Sequence, residues 1–341
     1  MKNKIIVLLI ALVCIFTFTA CNNRQERQEG EKGEGEKEET MILNTEWEVM
    51  CVNDAVKLFA IIEPKSDGGE SLIWKSKNEL VAKVDKSGLV TATGSGETEI
   101  IVTTEDNKIF RTCKITVGEI LISQSFDESV SGYGTNKFSV IADGVEKAKP
   151  KDTIVIYEGE YNESVIINKT LSLVGINNPS LKGLKFEGEG NILSLENINF
   201  LVDEYPKSDS GILEIESGAD LKMTSCYFEV DSIDEARGGY AILAKGKRKT
   251  FSVTYCGFEN FRYGILLQNS GGLINIDGCK LKKMSYGIGV NLKSSDGRGT
   301  NPAEGLIYNN EYSEVGRKCE FVFTGSNYEG GLKFEDFNKD N

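Results

Sequence analysis

The chain has 341 residues, with 39 Lys and Arg against 52 Asp and Glu, a formal charge of −13 and no histidine. So acidic a surface repels phosphate backbones, which argues against nucleic acid as a partner. The lack of histidine removes Ser-His-Asp and Cys-His catalysis and every His-ligated metal site, and none of the eight cysteines forms a C-x-x-C pair, so a zinc ribbon is not expected either.

Lys2 and Lys4 precede the apolar run "IIVLLIALVCIFTF", which ends in "TAC". A basic start, a hydrophobic run and a small residue before a cleavage point are the layout of a secretory signal over residues 1–20. The run falls short of the about 20 apolar residues that span a bilayer. Phe18-Thr19-Ala20-Cys21 resembles the lipobox of bacterial lipoproteins, with Phe18 where Leu is usual. The resemblance implies that Cys21 is acylated and anchors the chain to a membrane of the bacterial cell envelope, surface-exposed or facing the periplasm. More than one acyl chain suffices for stable attachment. Residues 21–40 follow with seven Glu, four basic residues, three Gly and no large apolar side chain. Such a segment cannot bury enough surface to offset its ordering entropy and is expected to be a disordered tether.

Residues 41–118 read as all-β. Short alternating segments such as "VKLFAII", "LVTAT", "TEIIVTT" and "RTCKITV" are separated by "DGG", "KSG" and "GSG" turns. Trp74 with Ser76, the "VAKVDKSGLVTA" hairpin, Gly96 before a β-rich strand and the closing "CKITV" resemble bacterial Ig-like domains of group 2. The resemblance implies a sandwich, with Trp74, Val84, Val90, Ile101 and Val117 supplying its inner faces. Cys51 and Cys113 lie near opposite ends of this domain and are compatible with a disulfide or with two free thiols.

Residues 119–137 are expected as a linker, 138–326 as a second domain and 327–341 as a tail. In the second domain "LKMTSCYF" (221–228), "FSVTYCGF" (251–258) and "INIDGCKL" (274–281) share one pattern, with "LSLENINF" carrying Ile198 and "GLIYNNEY" carrying Asn310 at the cysteine position. A second motif, "YAILA", "YGILL" and "YGIGV", recurs with Tyr240, Tyr263 and Tyr286 spaced by 23 residues, as are Cys256 and Cys279. Two landmarks with one period mark a repeat, and alternation within each unit makes it a strand-built solenoid. The two residues before each cysteine break the alternation, which predicts a bend followed by an inward thiol. "VIADGVEKAKPKDTIVIYEGEYNESVIINKTLSLVGIN" resembles the opening turns of pectin-lyase-like right-handed parallel β-helices. The resemblance implies a short capping helix around 141–149, with Ile141, Val145 and Ala148 on one face. The expected fold is therefore all-β, an Ig-like β-sandwich followed by a right-handed parallel β-helix with a short N-terminal capping helix.

Active members of that fold carry site motifs that this sequence lacks, among them "DFIFG" and the histidine-bearing elements of polygalacturonases and pectate lyases. A calcium-dependent lyase with a lysine base needs no histidine, but it needs clustered carboxylates. Glu196 and Asp277 fall at equivalent bend positions about three coils apart, roughly 14 Å at strand spacing, too far for a hydrolytic pair. No cofactor or metal is implied. Alternation from the tyrosines sends Ala241, Gly264 and Gly287 outward, with Leu243, Leu266 and Gly289 in the next outward column, a strip on which an extended ligand could lie. The expected function is an envelope-anchored binding or display module for polysaccharide or another envelope or host ligand. The alternatives are a divergent polysaccharide lyase or hydrolase and a purely structural spacer.

Overall fold

In the computed structural model, which describes residues 39–64, 71–204, 209–231, 239–293, 302–322 and 331–334, alternation along the chain becomes two β modules. The expected signal segment, Cys21 and nearly all of the tether lie outside the described residues, as do 294–301 of the long insertion and most of the tail.

The first module packs a four-stranded sheet on a three-stranded one. Trp47–Cys51, Phe110–Gly118, Gly96–Thr104 and Leu72–Ser76 form the larger, and Ala55–Lys57, Leu89–Ala92 and Ala82–Val84 the smaller. Thr40–Leu43 pairs with Ala60–Glu63 beside them. Met50, Leu58, Val81, Ala82, Val90, Ile100, Cys113, Ile115 and Val117 fill the space between, with Trp74 and Val84 partly buried against them. Ile101 is a correction. Its neighbours Ile100 and Val102 are buried instead, because the strand Gly96–Thr104 enters one residue out of phase with the expected alternation.

The second module is a parallel β-helix. Its ten-stranded and nine-stranded sheets contain parallel pairs throughout, with each coil contributing one strand to the first sheet before turning into the second. The turn between them is made by one residue in the left-handed region: Asn178, Asn197, Ser225, Tyr255, Gly278 and Asn309 on successive coils.

 In that order the six φ values are 57, 54, 53, 53, 63 and 55°. The next residue of each coil then points inward, so Ile198, Cys226, Cys256, Cys279 and Asn310 stand in one ladder, and the four apolar members are buried. Phe200, Phe228 and Phe258 form a second ladder, with ring centroids 4.5 and 5.2 Å apart. Leu213, Ile242, Ile265 and Ile288 form a third. Register between successive coils is therefore fixed by stacks of like side chains, the usual source of solenoid stability.

The helix Ile141–Lys147 covers the first coil, with Ile141, Val145 and the following Ala148 buried against Ile120, Ile122, Ile154 and Ile156. Both of its ends are held by side chains from the next coil. Glu163 accepts hydrogen bonds from the Ile141 and Ala142 N–H groups, at 3.0 Å each. Lys169 Nζ donates to the carbonyls of Val145, Glu146 and Ala148 at 2.9, 3.2 and 2.7 Å. Two of the orphan N–H groups and three of the orphan carbonyls are thereby satisfied, and the charges suit the helix dipole. Lys151 has a φ of 79° and so adopts the conformation that glycine adopts most easily.

The expected linker is a further correction. Ile120–Ile122 within it is a strand of the ten-stranded sheet, lying between Lys137–Phe138 and Thr153–Ile156. Gly331–Phe334, within the expected tail, pairs with Ala303–Tyr308 in the same sheet. At the junction Val49, Cys51, Leu121 and Val155 bury one another, so the two modules share a small core.

Candidate functional site

The outer face of the ten-stranded sheet carries polar side chains in register, short except for Lys222: Thr153, Ser172, Ser194, Lys222, Ser252 and Asn275 succeed one another coil by coil. They floor a cavity of about 780 Å³, walled on one side by Gly96, Glu97, Thr116 and Val117 of the sandwich. Lys222 is the one long side chain in this column before Leu306, which follows Asn275, and Leu273 also lines the cavity. Beside the floor run Glu196, Thr224, Thr254 and Asp277, so the two carboxylates stand three coils apart, about 14 Å at inter-strand spacing. Asp277 accepts a hydrogen bond from Asn309 Nδ2 at 3.2 Å. Among the described residues, no three His, Cys, Asp or Glu side chains are grouped to hold a metal ion. What the groove offers chemically is a long row of hydroxyl and amide groups, suited to hydrogen-bonding an extended ligand.

The strip expected on the nine-stranded sheet is turned around. Tyr240, Tyr263 and Tyr286 are half-buried on the outer face, where their rings stack at 5.4 and 4.3 Å. Ala241 belongs to the main core. A Cβ on Gly264 would lie 2.8 Å from Leu281 Cδ2 and 3.1 Å from Met284 Sδ, so that position also faces inward. Gly287 likewise faces the Tyr312 ring. Leu243 and Leu266 stand outside the main core, but Leu243 and Gly289 are buried, and a Cβ on Gly289 would meet Leu266 and the Tyr263 ring. The physical reason is a corner. Phe261 and Met284 are buried two residues before Tyr263 and Tyr286, and Ile265 and Ile288 two residues after, so alternation is interrupted at the tyrosines themselves, where Gly264 and Ile265 both face inward. Tyr263 donates to Glu320 at 3.1 Å, and Arg317, over the Tyr286 ring, bonds the same carboxylate at 2.8 Å. Burial first, and then the Glu320 charge, push the Tyr263 hydroxyl above its ordinary pKa.

The basic run "KGKRK" covers residues 245–249. Arg248 is 6% exposed and reaches Ser270 Oγ and the carbonyls of Ala219, Lys245 and Gly246. It ties together the third corner of the coil. Burial lowers its pKa to about 10, opposed by the charges of Asp220 and Glu216. Nearby Asp220, also buried, accepts from the Lys249 and Thr250 N–H groups at 2.8 and 3.0 Å.

Cys226, Cys256 and Cys279 are free thiols in the expected ladder. The Cys226 N–H donates to Cys256 Sγ at 3.5 Å, and the Cys279 N–H to Asn310 Oδ1 at 2.9 Å. Burial raises the Cys256 thiol well above its ordinary range. Cys51 and Cys113 are free as well and belong to different cores, so they form no disulfide in this structure. Tyr255, at the left-handed bend where other coils carry Asn, Ser or Gly, drew no attention in the sequence; its departure from that column is the signal that marks it.

An Ig-like sandwich joined to a parallel β-helix defines the class of protein. Residues 61–106 match the family model described as the intimin immunoglobulin-like domain. An uncharacterized protein of Clostridium acetobutylicum is 33% identical over 76 residues, and the chain spans 19% of the length of that relative and 22% of its own.

Proposed function

We propose that this chain is a binding or display module of a bacterial cell envelope. Cys21 carries the lipid, residues 22–40 are the tether, the Ig-like sandwich of group 2 type is the stalk, and the pectin-lyase-like β-helix holds the ligand. The ligand is an extended polymer, polysaccharide foremost, lying in the groove between the ten-stranded sheet and the sandwich. The observation that carries this reading is the row of polar side chains in register, all but Lys222 short, under a cavity of about 780 Å³. A polymer of hydroxyl-bearing units can meet one polar side chain per coil, with Lys222 supplying one charged donor among the hydroxyl and amide groups.

A glycan array probed with the chain beginning at Asn22, which keeps every described residue, tests the binding. Asn275→Arg, on the floor of the groove, is expected to abolish the signal of at least one glycan without lowering the melting temperature. An empty array, or undiminished binding by that variant, refutes the reading. The anchor is tested separately: a fatty-acid analogue should label cells expressing the full chain and not those expressing Cys21→Ser, and equal labelling removes Cys21 from consideration.

A further inference from the structure

The column of left-handed bends contains one residue out of keeping with the rest. Asn, Ser and Gly adopt that conformation readily, and a bulky aromatic does not. Tyr255 nevertheless adopts it, at φ 53°, and leaves its side chain 66% exposed. Neither backbone preference nor burial accounts for a tyrosine here, and unfavourable conformations of this kind collect at binding sites. The ring rests against the next coil, where a Cβ on Gly278 would lie 2.7 Å from Tyr255 Cδ1 and Cε1. One coil earlier the ring of Tyr227 rests in the same way against Gly257. Both residues line a cavity of about 670 Å³ that shares no residue with the junction groove.

The rest of the cavity supplies hydrogen-bonding groups. Asn178, Asn197 and Asn199 line it, and among the described residues no hydrogen bond engages their side-chain amides, whereas Asn191, Asn260 and Asn310 are each bonded to a carbonyl. Glu259 forms a fixed rim, accepting from Tyr227 at 3.2 Å and paired with Lys282 and Lys283 at 3.0 and 2.9 Å. Burial alone would raise its carboxyl, but Lys283, Lys282 and Tyr227 together hold it below its ordinary pKa.

We propose that this bend binds a pyranose unit of a glycan, with Tyr255 as the surface on which the C–H groups of the sugar rest. Tyr227 extends the surface by one coil, and the amides of Asn178, Asn197 and Asn199 take the hydroxyls. Aromatic surface beside uncommitted amides suits a ligand that is apolar on one side and polar at its edges. An organic cation is disfavoured by Lys280 and Lys282 on the same rim, and a wholly apolar ligand would leave the three amides without partners. From Asn178 to Gly278 the site spans four coil spacings, about 19 Å, so a short run of sugar units fits along the axis. The site does not rest on the junction groove, and either can fail without the other.

The test replaces Tyr255 with the residue type found at positions 178, 197 and 309 of the same column. The full chain, in a detergent without a sugar headgroup, is run on native gels cast with polygalacturonate, xylan or a soluble β-glucan. Wild type should be retarded by at least one polymer. Tyr255→Asn should bind that polymer about tenfold more weakly or not at all, with an unchanged or higher melting temperature because the bend is relieved. Asn275→Arg, in the other groove, should keep the retardation due to the bend. No retardation of wild type by any of the three polymers overturns the proposal, as does equal retardation of Tyr255→Asn. A lower melting temperature in Tyr255→Asn overturns it too, by making the ring a packing element.

Discussion

Replacing Lys169 with Met removes one charge and keeps most of the stem, which isolates what the ammonium does at the capping helix. Its three hydrogen bonds go to carbonyls that the end of a helix leaves unpaired, and those to Val145 and Ala148 are partly buried. Water can replace the exposed contact to Glu146. A hydrogen bond from a charged donor is worth about 1.5–3 kcal/mol net, so losing the two partly buried ones should cost about 3 kcal/mol. At about 2–4 °C per kcal/mol for a domain of this order, the melting temperature should fall by roughly 6–12 °C. The loss should be concentrated at one end. Hydrogen exchange read by mass spectrometry should show amides of residues 141–147 losing protection while the coils around Cys256 keep theirs. An unchanged melting temperature with unchanged exchange at 141–147 would refute the view that Lys169 holds the cap.

Three further outcomes are expected. Cys256→Ala should cost about 1 kcal/mol in urea unfolding, whereas Cys256→Asp should cost several kcal/mol or prevent folding, since it buries a charge with no partner. The same thiol should resist alkylation in the native state, and rapid modification would contradict its place in the ladder. Gly264→Arg should yield no folded protein by circular dichroism, because the side chain would have to enter the core between Leu281 and Met284; a soluble variant of native stability would restore the outward orientation. Arg248→Lys should lose about 2 kcal/mol or more, because one ammonium cannot reach the separate acceptors that the planar guanidinium serves.

The repeat was legible because its landmarks, Cys256 and Cys279 or Tyr240, Tyr263 and Tyr286, are spaced by the length of a coil, and like residues stack in register. The cap was legible from Ile141, Val145 and Ala148 at helical spacing. The direction of the tyrosines was not. Strict alternation places Tyr263 and Ile265 on one face, and nothing in a period of two marks the break between them. A better signal lay in the small residues themselves: Ala241, Gly264 and Gly287 are small because they sit inside a tight corner, where a side chain would meet the core. The buried role of Arg248 was hidden by its neighbours, since four of five residues in "KGKRK" are what a solvated loop would carry. The linker was misjudged because Ile120–Ile122 is too short to display alternation and becomes a strand only through its two neighbours in the sheet.

The junction between the modules has a mechanical meaning. The last strand of the sandwich ends at Gly118 and the first strand of the β-helix begins at Ile120, leaving Glu119 as the sole residue between them. Its carboxylate accepts the Thr153 N–H at 2.7 Å, and Leu121 and Val155 close against Val49 and Cys51. A pull along the chain therefore passes from one strand into the next without slack to take up. Ile120–Ile122 is flanked by strands on both sides, so the load reaches its hydrogen bonds in shear, many at once, instead of peeling them one by one. A joint of that kind transmits torque as well as tension: whatever turns the sandwich turns the groove with it.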